Sequence, residues 1–170
     1  MGSPAAARLF LEATCGADAA LDSFDATALR GLTVLSAEPG RLVASLPLSN
    51  GRANAYGTAH GGLIATAVDV VSSAALHTVR DASGVSVTLS VDYLAAVPVA
   101  GSGGGGDGDD GGSDAPSLTF DARVVKAGRS LAVLAVDVRR GGDGALVAQG
   151  RHTKFVAAEA ARRGGGRARL

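Results

Sequence analysis

Apolar residues recur at helical spacing through the first thirty positions: Leu9, Phe10 and Ala13, then Leu21, Phe24, Ala28 and Leu29. This spacing predicts an N-terminal helical segment over 1–30, as one helix or two short ones. The runs LTVLSA and RLVASLPL then flank Glu38-Pro39-Gly40-Arg41, where Pro and Gly fit consecutive turn positions, so a hairpin is expected. The stretch GGLIATAVDVVSSAALHTV, 61–79, is Ala-rich and apolar almost throughout, with no Pro and no Gly after its first two residues. It is too long for a strand and reads as a largely buried helix. Four strand-like runs follow, VSVTLSVDYL, SLTFDARVVK, LAVLAVDVRR and ALVAQGRHTKFV, with turns marked by Gly128 and Gly141-Gly142-Asp143-Gly144. Helix, two strands, long helix, four strands: the order predicts an α+β fold, a mainly antiparallel sheet wrapped around one central helix.

Composition bounds the rest. A chain of 170 residues and 16.7 kDa suits one domain, and 46% hydrophobic with 19% charged residues is too apolar for a disordered chain. No uninterrupted apolar run approaches the roughly 18 residues of a membrane span, so no membrane span is expected. Acids and bases number 16 each and the pI is near 6.8, which lacks the basic excess of a phosphate-neutralising nucleic-acid binder. The balance hides a division, because residues 101–116 carry −4 without a base, the tail 157–170 carries +3, and the remainder carries +1. GSGGGGDGDDGG, 101–112, holds 8 of the 25 glycines and offers nothing to bury, so 101–116 is expected to be a disordered insertion. The tail 158–170 reads as flexible and basic. The single Cys15 excludes an intrachain disulfide or a multi-cysteine zinc site, and MGSPAAARLF lacks the apolar core of a secretory signal, so an intracellular, reducing setting is expected. Ala168-Arg169-Leu170 matches the SKL-type peroxisomal address, which places the protein in the peroxisome or the cytoplasm.

The densest cluster of chemically capable groups is Asn54-Ala55-Tyr56-Gly57-Thr58-Ala59-His60-Gly61-Gly62, leading straight into the buried helix. Glycines at a helix mouth admit a ligand to the backbone, and the unpaired N–H groups there favour developing negative charge. Asn54 and His60 can add hydrogen bonds, as an oxyanion site requires. The same string also fits a glycine-rich helix entry with a structural histidine. Asp69 is the only charged residue between His60 and Arg80. A carboxylate there must be paired, hydrated or functional, and desolvation would make it a stronger base. The alternatives are a general base, a nucleophile, or a carboxylate turned to a solvated edge or capped by Ser72 or Ser73. Gly61 and Asp69 are eight residues apart, about 12 Å along a helix. They are poorly spaced to serve one substrate from one chain. A two-fold dimer with antiparallel central helices would bring Gly61 of one copy to Asp69 of another, so a homo-oligomer is expected. His77 lies about 25 Å from His60 along the helix, too far for the two to share an ion with His152, and no metal site is expected.

The strings NAYGTAHGGLIATAVDVVSSAAL, GVSVTLSVDYLAAV, KAGRSLAVLAVDV and LVAQGRHTKF resemble hotdog-fold acyl-CoA thioesterases of the phenylacetyl-CoA thioesterase type. The resemblance runs from about Gly31 to Phe155, omitting the insertion, and makes 31–157 a hotdog domain. It implies that the Gly61 amide polarises the thioester carbonyl while Asn54 and His60 hold the substrate. It implies further that Asp69 of the neighbouring subunit activates water or attacks the carbonyl, and that Ser86 positions the water. Lys126, Gly128, Arg129 and Ser130 in VKAGRSL match the family's coenzyme A nucleotide contacts, and Tyr93 joins them in the substrate-binding set. Two cations beside a glycine turn suit phosphates. A solvated hairpin tip is the plainer alternative.

The resemblance implies hydrolysis of an acyl-CoA thioester without a cofactor, by a dimer or a dimer of dimers. A hotdog hydroxyacyl-thioester dehydratase and a non-catalytic acyl-CoA binding protein are the alternatives. The pattern HGGLIATAVD resembles the thioesterases more than the dehydratases.

Overall fold

The computed structural model describes residues 2–16, 23–81, 84–99 and 116–156. Helix α1, Pro4–Cys15, begins where its sequence tells it to. The Ser3 hydroxyl accepts from the Ala6 amide at 3.1 Å, and Pro4 stands in the first turn, where a missing N–H costs nothing. Its buried residues Ala7, Leu11 and Cys15 fall four apart on one face and join the main core. A second short helix, α2, Phe24–Ala28, is capped by the Ser23 hydroxyl. Among the described residues the N-terminal pattern resolves into two helices, and Leu21 lies outside the described residues.

Strands β1, Thr33–Glu38, and β2, Arg41–Pro47, form the expected hairpin, with Glu38 opposite Arg41. Gly40 takes φ +82° in its turn, a left-handed conformation that residues with a Cβ adopt only under strain. A single 3₁₀ turn at Asn50–Arg52 then leads to the central helix α3, Gly61–His77. This helix ends two residues short of the predicted span. The Thr78 hydroxyl closes it by donating to the Ala75 carbonyl at 2.6 Å, and accepts from the Gly40 amide at 2.8 Å. One side chain thus finishes the helix and ties it to the hairpin turn.

The remaining strands are β3, Gly84–Tyr93, β4, Ser117–Ala127, β5, Leu131–Arg140, and β6, Leu146–Val156. All pairings are antiparallel in the order β1-β2-β4-β5-β6-β3, so β1 and β3 are the edges. The sheet's inner residues, among them Leu42, Leu46, Leu118, Phe120, Val136 and Val138, pack on Ala67, Val68, Val71 and Ala74 of α3. Small residues on the helix allow the sheet to approach closely.

One close approach is at Gly150 on β6. A Cβ there would overlap Cγ1 of Val68, itself fully buried. Gly150→Ala is expected to cost about 1–3 kcal/mol, the range for overpacking a filled core. Thermal denaturation reads it as a lowered Tm, and an unchanged Tm would mean that helix and sheet have slack at this contact.

Residues 101–115 of the Gly/Asp insertion and the tail 158–170, with Ala168-Arg169-Leu170, lie outside the described residues. Pro116, at the entry to β4, is anchored: its carbonyl accepts from the Leu48 amide at 2.7 Å. Among the described residues, no helix is long and apolar enough to cross a membrane.

Candidate active site

The mouth of α3 is built by side chains bonding to nearby backbone. His60 is the N-cap residue, and its Nδ1 accepts from the Gly62 amide at 2.9 Å. That bond leaves Nε2 as the donor of the neutral ring. Gly61, the first helical residue, has an amide N–H with no acceptor inside the helix. The Tyr93 hydroxyl, at the end of β3, donates to the Gly61 carbonyl at 2.8 Å, and burial holds its pKa above the usual phenol value. Asn54 is committed first to its own loop. Its Oδ1 accepts from the amides of Tyr56 at 2.9 Å and Thr58 at 3.2 Å, and its Nδ2 donates to Thr58 Oγ1 at 2.9 Å. One Nδ2 hydrogen remains for a ligand. Asn54, Thr58, Gly61, Ile64 and Tyr93 line a cleft of about 350 Å³, with the helix N-terminus at its wall. His60 lines a separate cleft with Phe24, Arg52 and Gly62.

Two turns along α3, Asp69 opens into another cleft, of about 370 Å³, with Ser73, Ser86, Lys154, Val85 and Phe10. Its side chain is 40% exposed, so the isolated chain does not desolvate it as the sequence suggested. It is paired instead. Asp69 Oδ1 lies 3.6 Å from Lys154 Nζ, 3.7 Å from His152 Nε2 and 3.4 Å from the Ser73 hydroxyl. Ser72 and Ser73 do bond Asp69, but both donate to its backbone carbonyl, at 3.0 and 2.7 Å. The three contacts all fall on Oδ1 of the carboxylate.

Beneath Asp69 runs a hydrogen-bonded row across three elements. His152 of β6 has no solvent exposure; its Nδ1 meets the Ser72 hydroxyl at 2.7 Å and its Nε2 the Ser86 hydroxyl of β3 at 2.9 Å. With the Ser72 proton given to the Asp69 carbonyl, the neutral imidazole donates from Nδ1 to Ser72 and accepts the Ser86 hydroxyl at Nε2. The β4–β5 turn lies apart from both clefts. Lys126, Arg129 and Ser130 are exposed there, Gly128 is half-buried, and the Arg80 guanidinium donates to the carbonyls of Gly128 and Arg129.

Residues 56–101, which span the helix mouth, α3 and β3, match the family model described as Thioesterase superfamily. Human acyl-coenzyme A thioesterase 13 is 38% identical over 126 residues, covering 74% of this chain and 79% of that relative. The chain belongs to the thioesterase superfamily. The crystal structure of zebra fish thioesterase superfamily member 2 is similar with a TM-score of 0.74 at 33% identity, covering 91% of this chain and 99% of that one. A hypothetical thioesterase from Streptococcus pneumoniae TIGR4, solved with coenzyme A, is similar with a TM-score of 0.65 at 25% identity, covering 78% and 91% respectively. The hotdog architecture expected from the sequence is the one these thioesterases share.

In this thioesterase the predicted site residues fall into three groups: Asn54, Gly61 and Tyr93 in one cleft, Asp69 and Ser86 in another, and the β4–β5 turn. His60 caps the helix that the first group uses. Sequence reasoning missed Lys154 and noticed His152 only as a possible metal ligand. The signal was present in ALVAQGRHTKFV: a period of two phased on Ala148, Gly150 and Val156 turns His152 and Lys154 to the same inner face.

Burial, then the Lys154 charge, push His152 down to about 4, against a smaller upward pull from Asp69. Its folded value thus lies below the unfolded one, and at pH 5 the unfolded chain binds a proton that the folded chain does not. Stability should rise with pH from about 4 to about 6.5 and be fully present above. Imidazole resonances recorded by NMR across pH 4–8 check this, with His152 expected to titrate far below the ordinary histidine range.

Proposed function

We propose that the protein hydrolyses an acyl-CoA thioester to the free acid and coenzyme A, at composite sites shared between two copies. The observation that carries this reading is the division of the machinery. An oxyanion-binding half at Gly61 and a base-bearing half at Asp69 open into different clefts of one chain, about 12 Å apart along α3.

The two halves are also marked on the edge strand β3, Ser86 beside Asp69 and Tyr93 beside Gly61. On β3 the apolar Val85, Val87 and Leu89 are 67%, 58% and 36% exposed, and an edge strand presents unpaired backbone groups for another strand. Antiparallel pairing of two β3 strands about Leu89 and Ser90 would set Ser86 opposite Tyr93 of the partner subunit. The same two-fold would run the α3 helices side by side and antiparallel, bringing Asp69 toward Gly61 of the partner subunit. A dimer is therefore the smallest active unit, and a dimer of dimers is compatible with it.

In such a site the thioester oxygen takes the Gly61 N–H, helped by the helix dipole and the remaining Asn54 N–H. Asp69 Oδ2 accepts a proton from water while the water oxygen bonds to the carbonyl carbon, with Ser86 positioning the water. The carbonyl re-forms as the carbon–sulfur bond breaks, and the thiolate takes up the proton. Free acid and coenzyme A thiol result. Exposed Lys126 and Arg129, on a turn whose carbonyls Arg80 holds, suit the phosphates of the coenzyme A nucleotide. The acyl-coenzyme A thioesterase name of the human relative and the coenzyme A of the streptococcal structure support this substrate class. Thiol release from a panel of aromatic and aliphatic acyl-CoAs tests the reading. Turnover of at least one is expected; tight binding without thiol release would indicate a binding protein, and hydration or dehydration of the acyl chain a dehydratase.

A further inference from the structure

We infer that Lys154 is a positioning residue for the reaction, holding Asp69 by Oδ1 so that Oδ2 is the proton-accepting atom. The inference rests on the reading of Asp69 as the base. Its ground is a buried lysine held beside that carboxylate. The Lys154 side chain is 9% exposed, reaches from β6 to the underside of α3, and donates to the Ser73 hydroxyl at 2.8 Å. Ser73 in turn donates to the Asp69 carbonyl at 2.7 Å, so its oxygen is free to accept from the ammonium. The ammonium is thereby fixed in place, 3.6 Å from Asp69 Oδ1.

A charge taken out of water needs compensation, and replacing a buried charge by an apolar side chain of like size is often neutral or stabilising. The groups facing Asp69 are few: His152 and Lys154 from β6, Ser73 from its own helix, Ser86 from β3, with Asp25 of α2 and His77 lining the same cleft. Asp25 adds negative charge and His152 is held neutral, so among the described residues Lys154 is the cation beside Asp69. By drawing Oδ1 toward its ammonium, which Ser73 anchors, Lys154 also restricts the rotation of the carboxylate.

The test is kinetic. Lys154→Met keeps an unbranched side chain, one atom shorter, and removes the charge, and is expected to leave the oligomer folded. kcat should fall by up to about 100-fold, the order of a misplaced catalytic group, with KM little changed. A fall in kcat at unchanged KM is a split that loss of packing alone would not give, and Lys154→Arg should restore most of kcat. A folded Lys154→Met protein with wild-type kcat, or a Lys154→Arg protein as slow as Lys154→Met, overturns the inference. Should Lys154→Met fail to fold, Ser73→Ala removes the hydroxyl that anchors the ammonium; a smaller kcat loss at unchanged KM supports the inference, and wild-type kcat overturns it. Retained turnover in Asp69→Asn would instead overturn the base reading, whatever Lys154→Met does.

Discussion

Asp69→Asn is expected to lower kcat by at least about 100-fold, the usual range for removing a general base, which amounts to about 3 kcal/mol of barrier. The amide keeps an oxygen for Lys154 and Ser73 but cannot take a proton from water at Oδ2. Folding should survive, because the Asp69 side chain is 40% exposed and belongs to no apolar cluster. A small loss of Tm is expected, since the buried Lys154 ammonium gives up its anionic neighbour. Combining Asp69→Asn with Lys154→Met should then recover Tm but not kcat. Steady-state thiol release and thermal denaturation on the same preparations check both statements. Near wild-type kcat in Asp69→Asn would remove the carboxylate from the mechanism.

The order and type of the elements were legible because each carries its own signal. Helical spacing wrote α1, although its buried face is Ala7, Leu11 and Cys15 while Leu9 and Ala13 of the predicted stripe are exposed; an Ala-rich run wrote α3, and Pro39-Gly40 wrote the hairpin turn. The end of α3 was not legible, because the Thr78 hydroxyl closes the helix by reaching a hairpin turn 38 residues away in the chain. The site was half legible. Gly61 and Asp69 stand out locally, one as glycine at a helix mouth and the other as a lone charge in an apolar helix. Lys154 and His152 do not, because in a strand of mixed residues their importance comes only from pairing with α3 and β3. Asn54 carried a different lesson. Its residue type suggests a ligand contact, yet most of its hydrogen-bonding capacity goes to shaping the loop around Gly57 at φ +72°.

That finding changes how the shared site is best tested. Asn54→Ala would collapse the loop as well as the oxyanion half, so Gly61→Pro is the cleaner disabling variant. Proline at the first helical position removes the N–H without breaking a helical bond, and the preceding His60, at φ −65° and ψ 130°, already has the extended conformation that a following proline requires. The ring would press on Tyr93, whose aromatic atoms lie 3.4 Å from a Cβ built at Gly61, a contact that an exposed tyrosine can relieve. Gly61→Pro alone and Asp69→Ala alone should each be inactive. After unfolding and refolding together, or after verified subunit exchange, half of the dimers should be hybrids, each with one site whose Gly61 and Asp69 are both native. About a quarter of wild-type activity is therefore expected from an equal mixture, because half of the dimers carry one working site of two. The recovery should follow hybrid content as the mixing ratio changes, peaking at equal amounts. Verified hybrids without activity would mean that Gly61 and Asp69 of the same chain serve one substrate, and that the 12 Å or so between them along α3 is bridged without a second copy.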